Sequence, residues 1–176
     1  MKTAFMGSDA IALPMLRHLV KDRPAGVDLA AVFTQPDRKS GRGMKLRANA
    51  IKEWALSEDL EVLQPKRCGE QEAAFLTENG FDLVLVMAYG QILPECILEA
   101  CPLGILNFHA SLLPRLRGAS PIHTAVALGL AETGVSLMRI VKKLDAGPVT
   151  DREKVSIHPL ETTSDVFMKL SDACLP

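Results

Sequence analysis

In the first part of the chain, short apolar runs alternate with segments in which apolar residues recur at helical spacing. The apolar runs predict strands at Thr3–Met6, Leu29–Thr34, Glu61–Leu63, Asp82–Met87 and Gly104–Asn107. Between them, apolar residues recur at intervals of three and four, as they do on one face of a helix. Strands that alternate with helices are typical of a mostly parallel sheet covered on both faces. The pattern therefore predicts an α/β fold.

Helix boundaries are predicted from capping residues. The first helix should begin near Ser8 or Asp9, because either side chain can cap it. A later helix, over roughly Gln71–Glu78, should end at Asn79-Gly80, since glycine tolerates a left-handed backbone at a helix C-terminus. The apolar residues expected to face the core on the first two helices are Ala12, Leu13, Leu16, Leu19, Val20, Ile51, Trp54 and Ala55.

The last third of the chain is predicted to add a helix, two strands and a final helix. Pro121 suits the first turn of a helix, and the residues of Gly134–Val141 and Val149–Ile157 alternate as strands do. The final helix should begin within Thr162–Asp165. Its apolar stripe, which needs a surface to cover, consists of Val166, Phe167, Leu170, Ala173 and Cys174.

The composition is that of an ordinary folded protein. Of the 176 residues, 48% are hydrophobic and 23% are charged, and this length is about one domain. The apolar runs are far too short to cross a bilayer, and no signal-peptide core follows Met1, so we expect a cytoplasmic protein without a membrane part. The four cysteines have neither the spacing nor the histidine pair of a zinc site, so we expect free thiols and no metal.

Positive charge is concentrated in one segment. The net charge of the chain is −1, which argues against a generic nucleic-acid binder. Residues 34–49 nevertheless hold five basic side chains against Asp37 alone, a local charge of +4 that leaves −5 for the remainder. The segment is the candidate contact for a polyanion, and its basic residues are Arg38, Lys39, Arg42, Lys45 and Arg47.

A carboxamide and an imidazole stand two residues apart where the fifth predicted strand meets a turn. Asn107 and His109 would point to the same face of a strand, and Pro114 and Gly118 shape the turn that follows. Open α/β sheets bind ligands at the carboxyl ends of their strands. The pair is therefore a candidate active site, although two such residues can also form a purely structural hydrogen bond.

The residues around this pair resemble the signature of the folate-dependent formyltransferases. The resemblance lies in Asn-Phe-His-Ala-Ser-Leu-Leu-Pro at 107–114, followed by Arg117-Gly118, and in Leu-Asp-Ala-Gly at 144–147. These enzymes move a formyl group from 10-formyltetrahydrofolate to an amine. The resemblance covers nearly the whole chain and implies a Rossmann-like catalytic domain over residues 1–176, with an open, mostly parallel sheet and helices on both faces.

The resemblance implies that Asn107, His109 and Asp145 are catalytic. In formyl transfer, negative charge develops on the carbonyl oxygen, and a proton must leave the attacking amine. The amide of Asn107 can donate to that oxygen, and His109 can donate or shuttle a proton near neutral pH. Asp145 can orient the imidazole or relay the proton through water. Without the resemblance, Asp145 would read as an ordinary turn residue.

For the folate, the resemblance implies a cleft with two walls. One wall is formed by Ser111, Leu112, Leu113 and Pro114, and the other by Met87, Ala88, Tyr89 and Gly90. Backbone groups of the second segment could bind the pterin, because its side chains have little bulk. An ordinary strand-to-helix turn is the alternative for this segment, and Tyr89 could either pack or stack.

The acceptor is suggested by the basic segment. Residues 33–46 resemble the inserted loop of the methionyl-tRNA formyltransferases. This implies formylation of initiator methionyl-tRNA for translation initiation, with Arg38, Arg42 and Lys45 binding the tRNA. Those enzymes continue into a smaller β-barrel domain that has no counterpart here, so we expect the chain to be truncated near its last helix.

Two alternatives for function stay open. The chain could formylate a small amine, such as glycinamide ribonucleotide or an amino-sugar nucleotide, because residues 133–143 also look like the sugar-nucleotide enzymes. It could instead be a folate- or RNA-binding module without turnover. In each case we expect a monomer.

Overall fold

The centre of the fold is a seven-stranded, mostly parallel sheet. This is a computed structural model, and it describes residues 1–22, 26–40 and 43–175. The strands are β1 (Lys2–Gly7), β2 (Asp28–Phe33), β3 (Arg38–Ser40), β4 (Lys45–Arg47), β5 (Glu61–Leu63), β6 (Leu83–Met87), β7 (Ile105–His109), β8 (Glu132–Arg139) and β9 (Val149–Ser156). The order of the strands in the sheet is β5-β2-β1-β6-β7-β8-β9. Strands β1, β2, β5, β6 and β7 pair in parallel, and β8 pairs antiparallel with both β7 and β9.

Six α-helices lie in the described part of the chain, and local hydrogen bonds explain where several of them begin. They are α1 (Leu13–Asp22), α2 (Ala50–Ser57), α3 (Glu70–Glu78), α4 (Glu95–Leu98), α5 (Pro121–Ala127) and α6 (Thr163–Asp172). The carboxylate of Asp9 accepts from the Ile11 amide and starts a 3₁₀ turn before α1. Asn49 caps α2, and Thr162 with Asp165 forms a capping box at α6.

The sheet is buried on both faces. Phe5 of β1 faces a core built with α1, α2 and α6, whereas its neighbours Ala4 and Met6 face a second core built with α3 and α4. Strands covered on both sides read as continuous apolar runs. This burial explains why β1 and β6 stood out in the sequence.

The predicted α/β fold is confirmed, with local corrections. All seven predicted strands of the sheet are present, but β7 continues two residues beyond the predicted end, to His109. Leu13 and Val20 are only partly buried. Two elements were not predicted, namely the four-residue helix α4 and the antiparallel pairing of β3 with β4. Helix α4 is too short to show a period, and β3 and β4 are too polar for their pattern to indicate strands.

The carboxyl ends of β2, β1, β6 and β7 form the edge of the sheet at which the predicted site residues lie. The chain leaves β1 for β2 on one side, and β6 then pairs with β1 on the other. Such a reversal opens a crevice beyond the carboxyl ends of the strands. In spatial order the residues at these ends are Gln35, Ser8, Ala88 and His109. Since neighbouring strands lie about 4.8 Å apart, the edge from Gln35 to His109 spans roughly 15 Å.

Candidate active site

Asn107 and His109 lie on the same face of β7. Their neighbours Leu106 and Phe108 pack into the core on the opposite face. His109 is buried, with 6% of its surface exposed, and Asn107 is half-buried. Within the described part of the chain, the Asn107 carboxamide makes no side-chain hydrogen bond. Its NH₂ group is therefore free to donate to a ligand beside His109.

The imidazole of His109 has a different neighbour at each nitrogen. Nδ1 lies 3.0 Å from the hydroxyl of Ser111, and that hydroxyl donates to the carbonyl of Arg115 at 2.7 Å. Nε2 lies 3.3 Å from Oδ2 of Asp145. This separation suits an ion pair, but the angle leaves Nε2 buried without a directed hydrogen bond among the described residues. Nδ1 is therefore paired with Ser111, whereas Nε2 is the nitrogen that faces Asp145.

Asp145 is held beside His109 by contacts from other segments. Its Oδ2 accepts a hydrogen bond of 2.9 Å from the backbone amide of Gly118. Asp145 has a φ of 45°, and Gly118 has a φ of 101°. A non-glycine residue in the left-handed region is uncommon, and such residues concentrate at functional sites. The predicted Asp145 thus reaches His109 from a left-handed backbone conformation.

The segment 111–114 forms a fixed wall next to His109. The hydroxyl of Ser136 on β8 donates to the Ser111 carbonyl at 2.7 Å and accepts from the Leu113 amide at 3.0 Å. The peptide bond between Leu113 and Pro114 is cis. Leu112 is half-buried and Pro114 is exposed, whereas the side chains of Ser111 and Leu113 point inward. Leu112 and Pro114 are therefore the parts of this wall that a ligand can reach.

The segment 87–90 forms the facing wall, and Tyr89 is a packing residue within it. Only 2% of Tyr89 is exposed, and its hydroxyl lies 3.1 Å from the thiol of Cys68. Burial is the main cause of a raised pKa for the Tyr89 hydroxyl. The backbone turns outward at Ala88 and Gly90, which are exposed and have φ values of 49° and 76°. A ligand would therefore meet backbone rather than the aromatic ring.

A polar cluster that the sequence did not reveal lies at the ends of β1 and β2. The side-chain amide of Gln35 donates to the Tyr89 carbonyl at 2.9 Å, and the backbone amide of Gln35 donates to Ser8 at 3.0 Å. Asn49, which caps α2, also donates to Thr34 at 2.8 Å. Thr34 and Gln35 are polar residues directly after an apolar strand, which is the signal that identified Asn107 and His109.

Asp37 anchors this cluster from the side of the basic segment. Its carboxylate accepts hydrogen bonds of 2.8 Å from Lys52 and from Gln64. The hydrogen bond from Lys52, followed by that from Gln64, holds the pKa of Asp37 below its usual value. The one acidic residue of the basic segment is therefore committed to an internal ion pair.

Two clefts flank the polar cluster, with volumes of about 320 and 340 Å³. The first is lined by Ser8, Gln35, Pro36, Arg38, Arg47, Ala48 and Asn49. The second is lined by Gln35, Pro36, Asp37, Arg38, Lys66, Gly90 and Gln91. Both clefts thus carry arginine or lysine side chains next to neutral hydrogen-bond donors.

The three predicted tRNA-binding residues differ in position. Arg38 begins β3, lines both clefts and donates to the side-chain oxygen of Gln35. Lys45 begins β4, is exposed, and lines neither cleft. Arg42 lies outside the described residues. Arg38 is therefore the basic side chain that is best placed to contact a ligand at the edge of the sheet.

The described residues contain neither a group arranged to bind a metal ion nor a helix that could span a membrane. Among residues 1–22, 26–40 and 43–175, no group of three or more His, Cys, Asp or Glu side chains is arranged to hold a metal ion. In the same ranges, no helix has the length and apolar character needed to cross a membrane.

Comparison with known proteins relates this arrangement to one enzyme family. The family described as formyl transferase matches residues 1–174. The methionyl-tRNA formyltransferase of Nitratidesulfovibrio vulgaris is 43% identical over 173 residues, which cover 98% of this chain and 52% of the relative. That of Bacillus thuringiensis is 44% identical over 175 residues, which cover 98% and 54%. The chain thus spans about half the length of the curated relatives it matches.

A solved structure gives the same fold. The phosphoribosylglycinamide formyltransferase from Bacillus halodurans aligns with a TM-score of 0.81 at 21% identity, covering 99% of this chain and 90% of that one. At this identity, the likeness concerns the fold alone.

Proposed function

The chain belongs to the formyl transferase family, and on this premise we propose that it transfers a formyl group from 10-formyltetrahydrofolate to the α-amino group of methionyl-tRNA. The main support for this reaction is the distance of 3.3 Å between His109 Nε2 and Asp145 Oδ2. The amide of Asn107, which makes no side-chain hydrogen bond among the described residues, lies beside them on β7. The acceptor is supported by the curated methionyl-tRNA formyltransferases at 43% and 44% identity.

The three side chains have complementary roles in this reaction. A bond forms between the acceptor amine and the formyl carbon, the bond from that carbon to the donor nitrogen breaks, and one proton passes from the acceptor amine to the donor nitrogen. The free NH₂ of Asn107 donates to the formyl oxygen as negative charge develops there. Nε2 of His109 exchanges a proton with the reacting groups, and the carboxylate of Asp145 stabilises the charged imidazole.

The folate is proposed to bind between the two walls beside His109. The two walls present different surfaces to a ligand. Leu112 and Pro114 present apolar side chains, whereas Ala88 and Gly90 present backbone groups. The carbonyls of Ala88 and Tyr89 already accept hydrogen bonds from Ser8 and Gln35. A heterocycle would therefore use their second lone pairs or the remaining backbone groups of this loop.

The basic segment supports a phosphate-bearing acceptor. Arg38 and Arg47 share a cleft with Ser8 and Asn49, so charged and neutral donors converge there. Proteins bind phosphates with such groups, and arginine does so bidentately. Gln35, three residues before the hairpin of β3 and β4, lies about three strand spacings, or roughly 15 Å, from His109. This separation suits an acceptor whose phosphates lie away from the amine that reacts, as they do in an aminoacylated tRNA.

The test is formylation by the purified chain with 10-formyltetrahydrofolate and each acceptor in turn. Product is measured by mass spectrometry with methionyl-tRNA, glycinamide ribonucleotide and an amino-sugar nucleotide, and folate binding is measured by calorimetry. Formylated methionyl-tRNA is the expected product. Transfer to a small amine only would replace the proposed acceptor. Folate binding without transfer to any acceptor would favour a binding module.

A further inference from the structure

A buried hydroxyl, that of Ser111, lies against one nitrogen of His109. Ser111 has no exposed surface, and its Oγ contacts the Arg115 carbonyl at 2.7 Å and His109 Nδ1 at 3.0 Å. A hydroxyl has one proton, and a carbonyl oxygen can only accept. The proton of Ser111 therefore points to Arg115, and a lone pair points to Nδ1. Nδ1 must then carry a hydrogen and donate it to Ser111.

We propose that Ser111 is the positioning residue that keeps His109 in its Nδ1-protonated tautomer, so that Nε2 is the nitrogen that gains and loses protons. This inference rests on the proposed function. In the other neutral tautomer, which carries its hydrogen on Nε2, a lone pair of Nδ1 would face a lone pair of the Ser111 oxygen. The hydroxyl could avoid this repulsion only by turning its hydrogen to Nδ1 and losing its hydrogen bond to the Arg115 carbonyl. Ser111 thus acts through His109, whereas its resemblance to the family's motif suggested a contact with the folate.

The same constraint defines the chemistry at Nε2. Oδ2 of Asp145 faces Nε2 at 3.3 Å and already accepts from Gly118. When the ring is charged, Nε2 carries a hydrogen, and the nearby carboxylate attracts the charged ring without a directed hydrogen bond. When the ring is neutral, Nε2 is a bare lone pair beside the reacting groups. One atom can therefore donate a proton in one state and accept the proton of the amine in the other.

The Ser111 oxygen is held in place by the backbone around it. The Ser111 amide donates to the His109 carbonyl at 2.8 Å, and Ser136 bonds to the Ser111 carbonyl. Ser136 is itself fully buried and lies directly opposite His109 in the pairing of β7 with β8. The backbone of Ser111 is therefore fixed from both β7 and β8, which sets its hydroxyl beside the imidazole.

The test is the tautomer of His109, read from ¹⁵N chemical shifts of protein labelled at histidine, at a pH where the ring is neutral. The His109 signal is assigned with His109→Gln. We expect the wild-type ring to carry its hydrogen on Nδ1, and Ser111→Ala to shift it toward Nε2. A wild-type ring protonated on Nε2, or an unchanged tautomer in Ser111→Ala, would overturn the proposal. This measurement needs no substrate, so it stands even if no acceptor is formylated.

Ser171→Ala is the matched control. Ser171 of α6 is also a buried serine that donates to a backbone carbonyl, that of Ile11 at 2.6 Å. Both variants lose such a bond and should lose similar stability, but only Ser111→Ala should change the tautomer. In the transfer assay, Ser111→Ala should lower kcat about tenfold, the effect of one ordinary hydrogen bond, while KM changes little. If both variants lower kcat equally without a change of tautomer, Ser111 has only a structural role.

Discussion

Replacing Asp145 by Asn tests the electrostatic core of the proposed mechanism. The substitution keeps the size of the side chain, and an amide oxygen can still accept from the Gly118 backbone. It removes the negative charge that lies 3.3 Å from His109 Nε2. The imidazole should therefore keep its place while its charged form loses its partner. We expect a lower kcat with little change in folding or in folate affinity.

The size of the effect follows from the distance between the two atoms. At 3.3 Å and an effective dielectric constant of about 20, the attraction between two unit charges is about 5 kcal/mol before desolvation is subtracted. A hydrogen bond to a charged group contributes about 1.5–3 kcal/mol net. Because the pair is not well aligned, we take the lower part of this range, about 1.5–2 kcal/mol, which corresponds to about a 10- to 30-fold decrease in kcat.

The measurement is steady-state transfer to methionyl-tRNA, with thermal unfolding as the check on folding. Asp165→Asn is the control, because Asp165 caps α6 through Thr162 and does not approach His109. It should lower the melting temperature and leave kcat unchanged. An Asp145→Asn protein with wild-type kcat would refute the electrostatic role that we assign to this carboxylate.

Three further substitutions test other parts of the structure. Asn107→Ala should lower kcat about 100-fold or more while folate binding persists, because it removes the donor to the formyl oxygen; full turnover in this variant would remove Asn107 from the mechanism. Arg38→Ala should weaken tRNA binding and reduce its salt dependence by about one phosphate contact, and an unchanged salt slope by filter binding would argue against this contact. A Cβ at Gly147 would lie 1.9 Å from the Arg139 carbonyl, so Gly147→Ala should displace the Asp145 loop and destabilise the chain by about 2 kcal/mol, or roughly 4–8 °C in melting temperature. Scanning calorimetry measures that shift, and a native melting temperature would mean that the loop accommodates the methyl group.

The sequence predicted the sheet well because its strands are buried on both faces and therefore have a strong apolar signal. That signal ends near Asn107, where side chains become polar, but backbone pairing continues to His109 opposite Ser136. Hydrophobicity could not locate this end, because ladder hydrogen bonds do not depend on the polarity of the side chain. The pairing of β3 with β4 escaped prediction for the same reason.

The candidate site was also predicted only in part. The motifs indicated Asn107, His109 and Asp145 as residue types, but not the contacts that orient them. Asp145 bonds to an amide 27 residues earlier, and Gln35 bonds to a carbonyl 54 residues later. Such contacts depend on loop conformations, including positive φ at Asp145, that local sequence patterns do not specify. The role of Ser111 emerges only when both partners of its hydroxyl are seen together.

The two ends of the segment that contains the hairpin of β3 and β4 lie in contact with each other. Asn49, just after it, bonds to Thr34 at 2.8 Å and to the Gln35 carbonyl at 3.3 Å, just before it. In the described residues, the hairpin forms no ladder with the seven-stranded sheet. Residues 38–48 can therefore be exchanged for a segment of another length or charge while Asp37 keeps its bonds to Lys52 and Gln64 and β2 still leads into α2. In protein engineering this makes residues 38–48 a graft site whose exchange leaves Asn107, His109 and Asp145 unchanged.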